Sequence, residues 1–98
     1  MFLVCLYGDL ASMLKSKYVE ITDLTFTAGS NIDLGTVATA TGISGLTYSG
    51  IKGLSLLMAG GNQNFDFGIL FCNKSNGHIY FRPTTTQSSA YVYFTVLY

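Results

Sequence analysis

The run Phe65-Asp66-Phe67-Gly68-Ile69-Leu70-Phe71-Cys72, then Asn73-Lys74-Ser75-Asn76-Gly77, then His78-Ile79-Tyr80-Phe81-Arg82 decides the fold. In its first part Phe65, Phe67, Ile69 and Phe71 fall on one face of an extended segment and Asp66, Gly68, Leu70 and Cys72 on the other. That is the period of two that a strand imposes. Asn76-Gly77 supplies residues that accept positive φ, so the chain is predicted to turn there and return as a second strand. Pro83 stops that strand, because it has no N–H to give to a ladder.

Outward from this hairpin the same grammar repeats. Thr84 to Ala90 reads as a polar loop, and Tyr91-Val92-Tyr93-Phe94-Thr95-Val96-Leu97-Tyr98 as a last strand. Its bare aromatic end is expected to be paired in a sheet, since a frayed end of that kind invites aggregation. Towards the N-terminus, Leu54 to Ala59 is an apolar run of buried-strand length, ended by Gly60-Gly61-Asn62-Gln63-Asn64. Gly45, Gly50 and Gly53 punctuate a weaker region before it. Ile32 to Val37 gives another strand, closed by Thr41-Gly42. Tyr18 to Asp23 and Leu24 to Thr27 alternate as well, and stop at Ala28-Gly29-Ser30-Asn31. About six or seven short strands with turns between them predict an all-β fold, a small antiparallel β-sandwich or barrel over residues 17–98.

Residues 1–16 differ in texture. Leu3, Leu6, Leu10 and Met13 are spaced by three, four and three, the pattern of a helical seam. The segment is shorter than two heptads and contains Gly8, so it reads as a short N-terminal helix or an extended arm. Helix is expected nowhere else.

Composition limits function. The chain has 98 residues, enough for one domain, with 49% apolar and 10% charged residues. A usual charged share is about 25%. Hydroxyls and amides must then solvate much of the surface, or part of it is buried against another copy. Both are expected, and a homo-oligomer follows. The five basic residues are scattered, Lys15 and Lys17 being the closest pair, which argues against nucleic-acid binding and against a polybasic membrane patch. No apolar stretch reaches the length of a membrane span, and Met1 to Tyr7 meets Asp9 with no positive start, so neither membrane insertion nor a secretory signal is read. Cys5 and Cys72 form no CxxC and read as small buried hydrophobes.

The residues that could do chemistry do not form a unit. His78 follows Gly77 at a turn, with Ser75 in the same turn, and reads as surface. Asp9, Glu20, Asp23, Asp33 and Asp66 make no paired motif. The glycines lie between strands, where turns explain them. The sequence is therefore read as non-enzymatic, without metal or cofactor. What remains is an aromatic face. Ile79, Phe81, Val92, Phe94 and Val96 read as core, which turns Tyr80, Arg82, Tyr91 and Tyr93 outward as one binding surface, provided their strands are neighbours. Tyrosine there suits a subunit interface and sugar stacking alike.

Lys17 to Gly29, Ile32 to Val37 and Ala90 to Tyr98 are similar in style to C-terminal β modules of tailed-bacteriophage fibre and baseplate proteins. The resemblance covers residues 17–98 and rests on texture, with no site motif to carry over. It implies a small sandwich or knob ending a trimeric fibre, following a helical stalk and touching the bacterial surface. On that footing the chain is expected to be a virion component, homotrimeric, binding a host cell-surface saccharide or another tail protein. The short length, with Met1 at its start, departs from the pattern and suggests a free-standing or truncated module. The second reading is an interaction domain whose aromatic face serves assembly alone.

Overall fold

A computed structural model of the chain describes residues 14–98. Six strands carry the fold: β1 (Ser16–Phe26), β2 (Ile32–Thr36), β3 (Gly53–Gly60), β4 (Ile69–Cys72), β5 (His78–Arg82) and β6 (Gln87–Leu97). They form two antiparallel three-stranded sheets, β1-β6-β3 and β2-β5-β4, the small all-β sandwich that the alternation predicts. The chain changes sheet at every connection except the β4–β5 hairpin.

The inward rows of the two central strands meet in the core. Ile79 and Phe81 from β5, and Val92, Phe94 and Val96 from β6, are all completely buried, as their spacing predicts. Phe26, Val19, Ala59 and Ala90 pack with Phe81, Val92 and Phe94 in one cluster, and the Phe26 and Phe81 ring centroids lie 5.3 Å apart. The residues before β1 join the first sheet too. Lys15 and Tyr98 exchange backbone hydrogen bonds of 2.8 and 2.9 Å, so the terminal aromatic is paired. The expected boundary at residue 17 thus falls inside a strand ladder. Of the expected N-terminal helix or arm over residues 1–16, residues 1–13 lie outside the described residues, and Ser16 already belongs to β1.

Two bulges interrupt the β1–β6 ladder. Val19 and Ile21 point inward, then Asp23 takes φ 61° and the inward row resumes at Leu24 and Phe26. Ser89 takes φ 47° opposite, within a β6 that starts at Gln87 where the sequence reads a loop to Ala90. Positive φ at a residue other than glycine is uncommon, and a bulge is one of the places that requires it.

Helix also occurs outside the first sixteen residues, against expectation. α1 (Val37–Thr41) follows β2 directly. The Thr36 hydroxyl accepts from the Thr39 N–H at 3.2 Å as N-cap, and Gly42, at φ 71°, closes the C-terminus by donating to Ala38 O at 2.9 Å. Capping at both ends and burial of Val37 and Ala40 outweigh the β-propensity of valine and threonine over so short a span.

Phe65 to Gly68 also depart from the expected strand. The predicted strand begins only at Ile69; before it, Phe65 makes one bridge to Gly60 and Asp66 N–H donates to Ala59 O at 2.8 Å. The row of phenylalanines faces out, and Asp66 faces in with 2% exposure. Its carboxylate accepts from Thr84 N–H (2.9 and 3.0 Å), Thr85 N–H (2.9 Å) and the Thr85 hydroxyl (2.6 Å). Beside it buried Gln87 accepts from Gln63 and Asn64 N–H and donates to Asn64 O and Thr85 Oγ1. Burial pushes the Asp66 carboxyl up, but the hydrogen bonds from Thr85 and Thr84 outweigh it and leave it below the usual carboxylate range.

Two outcomes follow. Phe94→Ala is expected to cost about 3–5 kcal/mol, because the ring is fully buried at the centre of the first sheet; a urea melt measures it, and a loss under about 1 kcal/mol would contradict the core assignment. Asp66→Asn is expected to cost about 2–3 kcal/mol at pH 7, since one amide oxygen cannot replace a carboxylate accepting from three donors. A carboxyl depressed on folding stabilises above its ordinary value of about 4 and loses that contribution as the pH falls through its folded value. The gap between wild type and Asp66→Asn should therefore narrow below about pH 4, as chemical melts across pH 2–7 would show.

Candidate functional site

Each central strand shows its second row to the outside. On the first sheet this brings Tyr91 and Tyr93 together, with ring centroids 4.7 Å apart and planes tilted by 31°. Tyr18 of β1 meets Tyr93 edge-on at 6.2 Å. The Tyr18 hydroxyl donates to Glu20 at 2.8 Å, and that bond chiefly pushes its pKa up to about 12. Phe65 and the amides of Gln63 and Asn64 border a shallow hollow of about 260 Å³ at the Tyr91 end.

On the second sheet Tyr80 has two ring neighbours. Phe71 lies opposite it in the β4–β5 register and stacks at 5.5 Å with an interplanar angle of 22°. The His78 ring centroid lies 6.2 Å from that of Tyr80, with planes 25° apart. The Tyr80 hydroxyl accepts from Asn76 Nδ2 at 2.8 Å. Arg82, two residues along the same face, donates from Nε to Asn31 Oδ1 at 2.8 Å. His78 Nδ1 lies 2.9 Å from both oxygens of Asp33, which holds the Asp33 carboxyl below its ordinary range; the Gly35 N–H adds to that effect. This aromatic pair thus stands between planar polar groups, Arg82 with Asn31 on one side and Asp33 with His78 on the other. The β4 edge opens onto a cleft of about 420 Å³ lined by Tyr48, Ser49, Lys52 and Phe71 among others.

The four residues expected to share one surface therefore fall on two. Tyr80 stays with Arg82 and Tyr91 with Tyr93, but β6 pairs with β1 and β3 and never with β5. The segment from Pro83 to Thr86 carries the chain between sheets, so the two pairs face outward on opposite sides of the sandwich. Sequence alternation finds the pairs and misses their separation, which is a matter of topology.

It also misses Phe71, Asn31, Asp33 and the engagement of His78. Phe71 had a usable signal, since the Asn73–Gly77 turn fixes the hairpin register that sets it against Tyr80. The Asp33–His78 and Asn31–Arg82 contacts span 45 and 51 residues and leave no local trace. The Ser75 hydroxyl is occupied with Asn73 Oδ1 at 2.6 Å, within its own turn. Cys72 is half-buried, and burial pushes its thiol up. Among the described residues no three of His, Cys, Asp and Glu converge as a metal site would require, and no helix is long and apolar enough to cross a membrane. A cleft of about 500 Å³ runs between β1 and α1 past Lys17, Glu20 and Thr39 and touches none of the four expected residues.

Set against protein-family models, curated proteins and solved structures, the chain matches none of them.

Proposed function

We propose that this chain is a non-enzymatic structural module of the kind found in tailed-bacteriophage tails or baseplates, a virion component that forms a homo-oligomer, with a trimer as first choice, and binds a host cell-surface saccharide. The observation that supports the saccharide part is the outer face of the second sheet. A pyranose presents an apolar C–H face and a rim of hydroxyls, so it needs a flat ring to stack on and planar polar groups beside it. The Phe71–Tyr80 stack is the ring surface. Arg82, Asn31, Asp33 and Asn76 offer donors and acceptors around it, and each is already oriented: Arg82 and Asn31 by each other, Asp33 by His78, and Asn76 by the Tyr80 hydroxyl. Holding them so lowers the entropy lost on binding. The tyrosines of the first sheet suit a saccharide less well, since Tyr18, Tyr91 and Tyr93 are packed against each other with few planar polar partners among them.

Tyr80→Ser is expected to weaken saccharide binding about tenfold or more, the loss of one stacking contact at roughly 1.4 kcal/mol per decade. Its molecular mass and melting curve should stay near wild type. A glycan array on the wild type identifies the ligand, and titration of the variant reads the loss. An array on which the wild type binds nothing would sink the saccharide reading, as would a Tyr80→Ser protein that binds unchanged. Tyr93→Ser serves as the companion variant, expected to retain saccharide binding.

A further inference from the structure

Leu57, Met58, Phe65, Phe67 and Ile69 form a continuous apolar strip along the edge where β3 and β4 close the sandwich. Their exposures run from 43% at Met58 to 85% at Phe67. Leu57, Met58, Phe65 and Phe67 line one groove of about 260 Å³, and Ile69 continues it on the outer side of β4. We infer that this strip is the surface through which copies of the chain associate. The inference rests on the oligomeric part of the function proposed above and is independent of the saccharide.

Three observations support a second copy as the occupant. The first is area. With aromatic side chains of about 150–250 Å² each, the strip presents roughly 600 Å² of apolar surface, the top of the range of about 300–600 Å² for the largest patch on a typical monomer. It also approaches the ~800 Å² that each partner contributes to a stable interface. The second is charge. Between Leu54 and Leu70 the one ionisable residue is Asp66, and its carboxylate is turned inward onto Thr84 and Thr85. Identical strips can therefore meet about a symmetry axis without like-charge repulsion, and a strip without charge offers an oppositely charged partner nothing to recognise. The third is rigidity. Gly68 lies against the Phe81 ring and the Arg82 carbonyl, with no space for a side chain, so the backbone beside Phe67 is fixed. The Asp66 carboxylate holds the other side. An apolar side chain held outward in this way behaves as a preformed contact and not as a loose loop.

The full chain in analytical ultracentrifugation over about 1–100 µM, a range spanning common homo-oligomer affinities, tests this. Wild type is expected to be oligomeric. Phe67→Asp should weaken association roughly 30-fold or more, as for a central aromatic contact, while its far-ultraviolet circular dichroism stays that of wild type. Phe67→Leu should remain associated. Leu57→Asp, on the other bank of the groove, is read in the same way and supplies the answer if Phe67→Asp does not fold. A monomeric wild type overturns the inference, whether its strip binds a hydrophobic dye or is covered by another part of the chain. An oligomer that keeps its mass in both Asp variants overturns it too. Loss of saccharide binding at unchanged mass in Tyr80→Ser leaves it standing, and loss of mass in Phe67→Asp with a working saccharide face leaves the other reading standing.

Discussion

The buried Asp66 carboxylate is the constraint on which the unusual half of this fold depends. It accepts hydrogen bonds from both backbone N–H groups and one hydroxyl of Thr84–Thr85, and so ties the approach to β4 to the crossover from β5 to β6. Strand geometry then dictates the rest. With Asp66 inward, Phe65 and Phe67 must point out, because neighbouring side chains alternate. A shift by one residue would turn the two phenylalanines in and Asp66 out, which hydrophobicity alone would favour by roughly 3–6 kcal/mol for two rings. Sterics forbid it. The inward position at Gly68 lies against the Phe81 ring and the Arg82 carbonyl, where no Cβ fits. A shifted chain would place Phe67 or Ile69 there. The glycine fixes the register, the carboxylate satisfies the donors of the crossover, and exposed phenylalanine is the consequence.

Sequence patterns lose their hold in this fold for physical reasons. Where both faces of a strand differ plainly in polarity, alternation identifies the core, as it does for Ile79, Phe81, Val92, Phe94 and Val96. Around Phe65 to Cys72 the more hydrophobic face is the outer one, because inward orientation there depends on partners some twenty residues away. The α1 segment shows a second limit. Thr36 and Gly42 are legible as caps, but three β-branched residues among the five between them (Val37, Thr39 and Thr41) mask a helix that burial of Val37 and Ala40 selects. The bulges at Asp23 and Ser89 are a third, since each is defined only against the opposite strand.

The candidate site was legible in its parts and not in its assembly. Tyr80 with Arg82, and Tyr91 with Tyr93, follow from period two within single strands. Whether the strands are neighbours is decided by the connection from Pro83 to Thr86, which is compatible with a turn within one sheet or a passage between two. The passage wins because β6 fills the gap between β1 and β3, with a ladder on each side. Placed there, β6 covers two strands' worth of unpaired backbone at once. Beside β5 it could pair only by displacing β2 or β4.

This separation gives the molecule two unlike faces and an edge between them. The first sheet presents packed tyrosines, and the second an aromatic pair bordered by fixed polar groups. The apolar strip lies on the edge joining them, and association there would hold several copies of the second sheet's outer face in one assembly. Weak contacts gain most from such an arrangement. One stacked sugar on a shallow face binds feebly, but several identical faces held at fixed spacing meet a repeating polysaccharide at high effective concentration, without any new contact at each site. On the function proposed above, the strip would set the spacing and the aromatic platform would use it.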